Sequence, residues 1–305
     1  MLNSSNPYFR QVELMLALMP VVGREACFAL KGGSAINLFV HDLPRLSVDL
    51  DLTFLPIKER AQSLVEIDAA LVRIGKDVTR AFPDAKVKLA DGAPGERTRL
   101  LVTRGGAGVK AEASPVLRGA VGRPQVRGVC PAVEKQFGYV EMQLLHPDDL
   151  YAGKLCAALD RQHPRDLFDV KLLLDGEGVG DEMLAVFIVY LISGNRPLAE
   201  MIAPQFQPLE TVFETQFKGM TLQPVTVAEL EETRRALVKL IRSRLTDDQR
   251  NFLLSFKQGE PNWPLLSMTG VEQLPAVQWK LINIRRMPKA RHTEAVEKLR
   301  MTLFE

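Results

Sequence analysis

Two aspartates, Asp49 and Asp51, lie two residues apart in a segment of strictly alternating polar and apolar residues. Side chains at positions i and i+2 of a strand share one face, so both carboxylates project to the same side. Two carboxylates this close raise each other's pKa unless a cation lies between them. Oxygen-only ligands favour Mg²⁺ as that cation. The spacing therefore predicts a magnesium site, and the alternative is a solvated strand face or a turn.

The tetrapeptide Lys31-Gly32-Gly33-Ser34 lies upstream of the acids and leads into an apolar segment, residues 34–40. This segment is predicted to be a helix with Ser34 as its N-cap. Glycines let the backbone approach an anion closely, and the first turn of a helix offers free N–H groups to phosphate oxygens. A phosphate cradle beside a metal site indicates phosphoryl or nucleotidyl transfer. The alternative for the two glycines is a tight turn.

A lysine, Lys154, lies on the apolar stripe of a predicted helix, residues 148–160. Asp166 shares a stripe with Val170 and Leu173 on the next predicted helix, residues 165–174. A lysine that leans inward must find an anion or lose its charge. In a nucleotide pocket that anion is the triphosphate, and the alternative is a structural ion pair between Lys154 and Asp166.

The elements that must position these residues predict an α+β fold. Beside the strand at 46–54, further strands are expected at 86–90, 98–103, 109–114 and 139–145, and a long helix at 59–82. A loop is expected over 115–138, and helices dominate from Pro147 onward. The chain is divided into a core domain, residues 1–178, and a helical C-terminal domain, residues 179–305.

Composition and charge fit a globular protein without a membrane segment. Of 305 residues, 46% are hydrophobic and 25% charged, with a formal net charge of +2. No run of 18 apolar residues predicts a membrane span, and the N-terminus lacks the pattern of a signal peptide. Three cysteines without a CxxC pair predict a reduced, cytoplasmic protein.

The motifs LKGGSAIN and RLSVDLDLTF together resemble the signature of the DNA polymerase β-like nucleotidyltransferase superfamily. The segment KLCAALDRQHPRDLFDV resembles further motifs of one group within it, the AbiEii/MenT toxins of type IV toxin–antitoxin and abortive-infection systems. The resemblance implies a polymerase β-like core with a helical C-terminal part. It also implies that Gly33, Ser34, Asp49 and Asp51 bind metal and nucleoside triphosphate.

In this group the lysine that begins the KLxA motif and the first aspartate of the RDLxD motif belong to the active site. The resemblance therefore implies Lys154 and Asp166 here. Arg165 and Asp169 are then expected to be structural. A third carboxylate is usual on a neighbouring strand, and by position this is Glu112. The alternatives are a solvated pair of Lys110 and Glu112, or Glu141 as the third acid.

The function implied by the resemblance is that of a toxin silenced by a cognate antitoxin. The implied reaction is Mg²⁺-dependent transfer of a nucleoside monophosphate from an NTP to RNA, and the 3′ end of tRNA is the leading candidate for the acceptor. The alternatives are transfer to a protein hydroxyl and a non-catalytic NTP-binding module. Two basic clusters are expected to follow RNA phosphates, against the alternative of solvated faces. Their members are Arg97, Arg99, Arg104, Lys110, Arg118, Arg123 and Arg127, and Arg285, Arg286, Lys289, Arg291, Lys298 and Arg300.

Overall fold

A computed structural model describes residues 8–90 and 92–305 and divides the chain into two compact units. The first unit runs up to His146 and takes in a distant segment, Gly219–Gln223. The second consists of Pro147–Lys218 and Pro224–Glu305. The predicted domain boundary at 178 lies inside the second unit.

The first unit is built on one mixed sheet. Among the described residues, its strands are β1 (Phe28–Lys31), β2 (Asp49–Phe54), β3 (Lys86–Leu89), β4 (Arg99–Arg104), β5 (Ala107–Ala113), β6 (Gln125–Gly128) and β7 (Glu141–Leu144). The strand order is β3-β4-β5-β2-β1-β7-β6. Strand β2 runs parallel to β5 and β1 runs parallel to β7, and the other neighbours are antiparallel. The predicted α+β class is confirmed.

Helices of the first unit flank this sheet. They are α1 (Phe9–Val22), α2 (Gly32–Ala35), which continues as a π-helical turn over Ile36–Val40, α3 (Arg60–Ala81) and α4 (Pro131–Phe137). The inward residues of β2, Leu50, Leu52 and Phe54, are fully buried, as the alternation predicts. Because side chains alternate along a strand, Asp49 and Asp51 lie on the opposite face of β2.

The segment Gly219–Gln223 completes the first unit by pairing with the residues just before β2. Arg45 forms an antiparallel bridge with Thr221. The backbone N–H of Leu46 donates to Met220, and the N–H of Leu222 donates to Pro44. A piece of chain far along the sequence therefore holds the approach to β2.

The second unit is helical throughout its described residues. Its α-helices are α5 (Pro147–Asp160), α6 (Pro164–Asp175), α7 (Asp181–Ser193), α8 (Leu198–Ile202), α9 (Glu210–Gln216), α10 (Val227–Arg244), α11 (Asp247–Gln258), α12 (Pro275–Arg285) and α13 (Lys289–Phe304). Helix α7 is buried on nearly all sides and forms the centre of the packing with α5. Helices α10 and α11 each begin with a capping box, at Thr226 and Thr246.

Two sequence-based expectations differ from the structure. The predicted loop over 115–138 contains strand β6 and helix α4, and helix α9 was not predicted. Strand β6 has only four residues and no buried position, so it carries no alternating pattern. Helix α4 buries only Val133 and α9 only Phe213, too few apolar contacts for a helical period. No helix of the described residues is long and apolar enough to cross a membrane.

Candidate active site

The junction between β1 and α2 lies directly against Asp51, one of the two proposed metal ligands. Strands β1 and β2 place Lys31 opposite Asp51. The next residue, Gly32, has φ +74°, and a Cβ there would lie 2.8 Å from Asp51 Oδ2. Glycine is required at this position both for its backbone conformation and for the close approach of the carboxylate.

We expect Gly32→Ala to displace the Asp51 carboxylate and to weaken Mg²⁺-dependent NTP binding. An L-residue in the left-handed region costs roughly 1–2 kcal/mol, so stability should fall as well. Gly106→Ala is the matched control, because Gly106 has φ +81° with no atom within 4 Å of the added Cβ. Thermal unfolding should show a loss for both variants, larger for Gly32→Ala because of its contact with Asp51, whereas calorimetric NTP binding should fall only for Gly32→Ala. Equal NTP affinity in the two variants would contradict a role for this contact.

Ser34 is not the N-cap that the sequence predicts. The helix begins at Gly32 with Lys31 as its N-cap, and Ser34 lies one turn inside. The Ser34 hydroxyl is buried, donates to the Asp49 carbonyl oxygen at 2.5 Å and lies 3.1 Å from Ser47 Oγ. It therefore fixes the start of β2 relative to the helix and holds Asp49 in place.

The side chains of Arg45 and Ser47 occupy the space that a side chain at Gly33 would fill. A Cβ at Gly33 would lie 2.6 Å from Arg45 Nη2 and 2.9 Å from Ser47 Oγ. Arg45 is itself buried and donates to the Leu46 carbonyl. The absence of a side chain at Gly33 thus gives room to an arginine beside the proposed phosphate-binding turn.

Strand β5 brings a second set of charges to the face that carries the aspartates. The parallel register places Lys110 beside Asp49 and Glu112 beside Asp51. Glu112 forms ion pairs with Arg99 at 2.8 Å and Lys110 at 2.9 Å. Hydrogen bonding by Arg99, joined by Lys110, lowers the pKa of Glu112 despite its partial burial. Glu112 is therefore a neighbour of the aspartates, but its carboxylate is held by two cations.

Lysines on both flanking strands offset the negative charge of the acid pair. Residues 47–53 contain no basic residue, but Lys31 on β1 and Lys110 on β5 lie beside the two acids. Burial lowers the pKa of Lys31, although Asp51 and Glu112 oppose this shift. Burial also acts to lower the pKa of Lys110, but Glu112, Asp49 and Asp51 raise it overall. Lys31 could have been found from its position, since it ends the strand that must pair with β2.

The acid pair fits a divalent ion that also binds substrate oxygens. Asp49 and Asp51 are half-buried and share one face of β2, and the Asp51 carboxylate approaches the backbone at Gly32. Within residues 8–90 and 92–305, no group of three or more His, Cys, Asp or Glu side chains is arranged to hold a metal. Mg²⁺ is commonly held by one or two carboxylates, with water and phosphate oxygens completing its shell. Asp49 and Asp51 are the residues that would hold it.

The second unit contains a buried cluster of charges around Lys154. Lys154 Nζ lies 2.8 Å from Asp166 Oδ1 and 2.9 Å from Asp169 Oδ2, and all three side chains are at most 5% exposed. Arg161 makes a two-pronged contact with Asp166 from the surface. Burial acts to raise the pKa of Asp166, but Lys154 and Arg161 lower it well below its usual range. The ion pair considered as an alternative is thus present, and it includes Asp169.

Comparison with known proteins decides the family. Residues 13–283 match the family described as nucleotidyl transferase AbiEii toxin, type IV TA system. The chain belongs to this AbiEii family. It is therefore a nucleotidyltransferase toxin of the type IV toxin–antitoxin class. No curated protein matches the sequence.

The fold of this AbiEii-family chain is also found in a solved structure. MenT4, a nucleotidyltransferase toxin from Mycobacterium tuberculosis H37Rv, superposes with a TM-score of 0.59 at 14% identity. The superposition covers 95% of this chain and 92% of that chain. This similarity confirms the predicted nucleotidyltransferase fold.

Within the AbiEii-family chain, the predicted site residues fall into two groups. The first unit brings Asp49, Asp51 and Glu112 together with the turn at Gly33 and Ser34. The second unit joins Lys154 and Asp166 in the buried cluster described above. Glu141, the alternative third acid, is exposed on β7 and accepts a hydrogen bond from Tyr139.

Proposed function

We propose that this toxin transfers a nucleoside monophosphate from an NTP to RNA in a Mg²⁺-dependent reaction, with the 3′ end of tRNA as its acceptor. The observation that carries the proposal is the Asp49–Asp51 pair on β2 against the glycine turn. The cytoplasm, which supplies NTP and tRNA, is the proposed site of action. A cognate antitoxin is the expected partner.

In the proposed reaction, an acceptor hydroxyl oxygen attacks the α-phosphorus of the NTP. The new phosphorus–oxygen bond forms as the bond to the β-phosphate oxygen breaks, and pyrophosphate leaves. Asp49 and Asp51 would hold Mg²⁺, which when bound neutralises phosphate charge and polarises the reacting oxygens. Backbone N–H groups at Gly33 and Ser34 would bind phosphate oxygens. Glu112 is the proposed acceptor of the hydroxyl proton.

Lys154 and Asp166 are proposed active-site residues on the strength of the family motifs. The pairing of Lys154 with two carboxylates supports a role in fixing the arrangement of α5 and α6. Ser34 has a comparable part in the first unit, because its hydroxyl supports the backbone of Asp49.

Transfer is tested by incubating the purified protein with Mg²⁺, each α-labelled NTP in turn, total tRNA and total cell protein. We expect label in tRNA, released with its terminal nucleotides. Label in protein would instead support transfer to a protein hydroxyl, and no label with intact NTP binding would support a non-catalytic module. In a bacterial host, expression should slow growth and Asp49→Ala should abolish this effect. Equal arrest by wild type and variant would separate toxicity from the proposed chemistry.

A further inference from the structure

A groove of about 570 Å³ lies along helix α10 in the second unit. One wall is the basic side of the helix and the other is an aromatic ring. Its lining residues are Phe206, Arg235, Val238, Lys239, Arg242 and Ser243. None of these lining residues is acidic, so the groove combines positive charge with an aromatic surface.

The aromatic ring of Phe206 is exposed, and hydrogen bonds to the residues before and after it hold its backbone in place. Gln162 donates to the Gln205 carbonyl at 2.8 Å and accepts from the Gln207 backbone N–H at 3.1 Å. Arg234 donates to the Gln207 carbonyl at 2.7 Å, and its guanidinium carbon lies 4.4 Å from the ring centroid. Arg234 is buried, whereas Phe206 is 41% exposed. The ring therefore rests on a buried cation and turns its other face outward.

The backbone of Gln162 supports the view that this loop is built to a specific shape. Gln162 has φ +49°, a left-handed conformation that is uncommon for residues other than glycine. Its side chain is 2% exposed and also accepts from Arg234 at 2.8 Å. This buried network fixes the backbone on both sides of Phe206 while its ring stays partly exposed. Packing into the core would instead have buried the ring, so the network indicates that the exposed ring is held for another purpose.

The basic residues of the groove lie on one side of α10. Arg235, Lys239 and Arg242 follow an i, i+4, i+7 spacing, which aligns them along about 10 Å of the helix. Arg235 pairs with Glu232 and Glu231. Within the described part of the chain, Lys239 and Arg242 have no ion-pair partner. A favourable interaction with the helix dipole accounts for Arg242 in the last turn, but not for Lys239 one turn earlier.

In the two basic clusters predicted from the sequence, many of the charges are engaged within the protein. In the first, many side chains are engaged within the protein: Arg97 with Asp68, Arg99 with Glu112, Arg104 with Asp84, and buried Arg118 with Ser63. In the second, Arg285 donates to Gly259, Lys298 pairs with Glu200, and Arg300 pairs with Glu297. The α10 groove is distinguished by the aromatic ring of Phe206, which lines it together with Lys239 and Arg242, two cations without an ion-pair partner among the described residues.

We propose that the α10 groove binds a single-stranded segment of the RNA acceptor, with a base stacked on Phe206 and phosphates paired with Lys239 and Arg242. Stacking on an aromatic ring and neutralisation of phosphates are the two interactions by which proteins bind single strands without reading sequence. The inference rests on the proposed function for the identity of the acceptor. It adds a surface on which that acceptor is held.

The test measures binding of a labelled single-stranded RNA of about ten nucleotides by fluorescence anisotropy, without NTP, over a range of salt concentrations. Lys239→Gln with Arg242→Gln should weaken binding and reduce the slope of log K against log salt by about 1.4, for two lost phosphate contacts on a single strand. Phe206→Ala should weaken binding about fivefold or more and leave that slope unchanged. Lys239 and Arg242 are exposed and unpaired among the described residues, so the double variant should melt as wild type does. Phe206→Ala should lower the melting temperature only slightly, because the ring covers Arg234 but is itself partly exposed.

The matched control is Lys76→Gln with Lys135→Gln, which removes the same charge from exposed helical positions that belong neither to the groove nor to the two basic clusters. Equal losses in the two double variants, or unchanged binding by Phe206→Ala, would overturn the proposal. Tighter binding of a duplex RNA of the same length would also overturn it. RNA bound in the groove without any transfer would count against the proposed function alone. Undiminished transfer and RNA affinity in the groove variants would count against the groove alone.

Discussion

Asp51→Asn should abolish Mg²⁺-dependent NTP binding and lower nucleotidyl transfer by about a thousandfold or more. The change removes one hard oxygen ligand and one negative charge at nearly constant volume. Loss of several kcal/mol of metal-dependent charge stabilisation corresponds to a rate loss of this size. Calorimetric titration of NTP with and without Mg²⁺, together with the transfer assay, measures both effects. Identical, metal-independent binding by wild type and variant would show that Asp51 is not a metal ligand.

The fold of the Asp51→Asn variant should be retained. Lys31 and Lys110 flank the acid pair, so removing one carboxylate relieves little repulsion and loses partly exposed attractions. We expect the free energy of unfolding to change by no more than about 1 kcal/mol. Glu112→Gln is a useful comparison, because its carboxylate is held by Arg99 and Lys110. A metal ligand should show a far larger effect on NTP binding than this neighbouring acid.

Lys154→Met should lower the free energy of unfolding by about 3–5 kcal/mol. The lysine is buried between Asp166 and Asp169, and its removal leaves two carboxylates close together in the interior. If Lys154 instead serves mainly as a ligand for triphosphate, its loss should abolish activity and leave the melting temperature unchanged. Chemical denaturation of the variant distinguishes the two expectations directly.

The matched control for Lys154→Met is Lys171→Met, which breaks an exposed pair with Asp175 on the same helix α6. Its stability should change by less than about 1 kcal/mol. Combining Lys154→Met with Asp166→Asn and Asp169→Asn also removes the two buried carboxylates that lost their lysine partner. This triple variant should recover part of the lost stability. Transfer by this triple variant would then show that neither Lys154 nor the Asp166 carboxylate is needed for the chemistry. An unchanged melting temperature for Lys154→Met would contradict the buried cluster as a source of stability.

Sequence patterns predicted the parts of the site that depend on a single element. The alternation around Asp49 and Asp51 requires only the period of one strand, and the inward lean of Lys154 requires only the period of one helix. The placement of Gly32 beside a carboxylate was not predicted, because it depends on how β1 pairs with β2. Lys110 likewise reaches the aspartates through strand register, and Lys31 can be found only by assuming that its strand pairs with β2.

The role of Ser34 illustrates a further limit of local rules. A serine after two glycines fits the preference for an N-cap, yet the chain enters its helix two residues earlier. The hydroxyl finds its acceptor fifteen residues along the chain, at the Asp49 carbonyl. Asp169 was similarly expected to be structural from its motif position, but its direct contact with Lys154 depends on how α5 and α6 pack.

The pairing of Gly219–Gln223 with residues 44–46 bears on how the toxin is made. During translation, Arg45 emerges from the ribosome long before its partner Thr221 has been synthesised. Arg45, whose side chain packs against Gly33, therefore lacks this bridge until about half of the second unit has also been translated. A nascent chain, or a fragment ending at 178, would have Asp49 and Asp51 but an unsupported approach to β2. A toxin that acquires its complete site only late in synthesis has little opportunity to act while still attached to the ribosome.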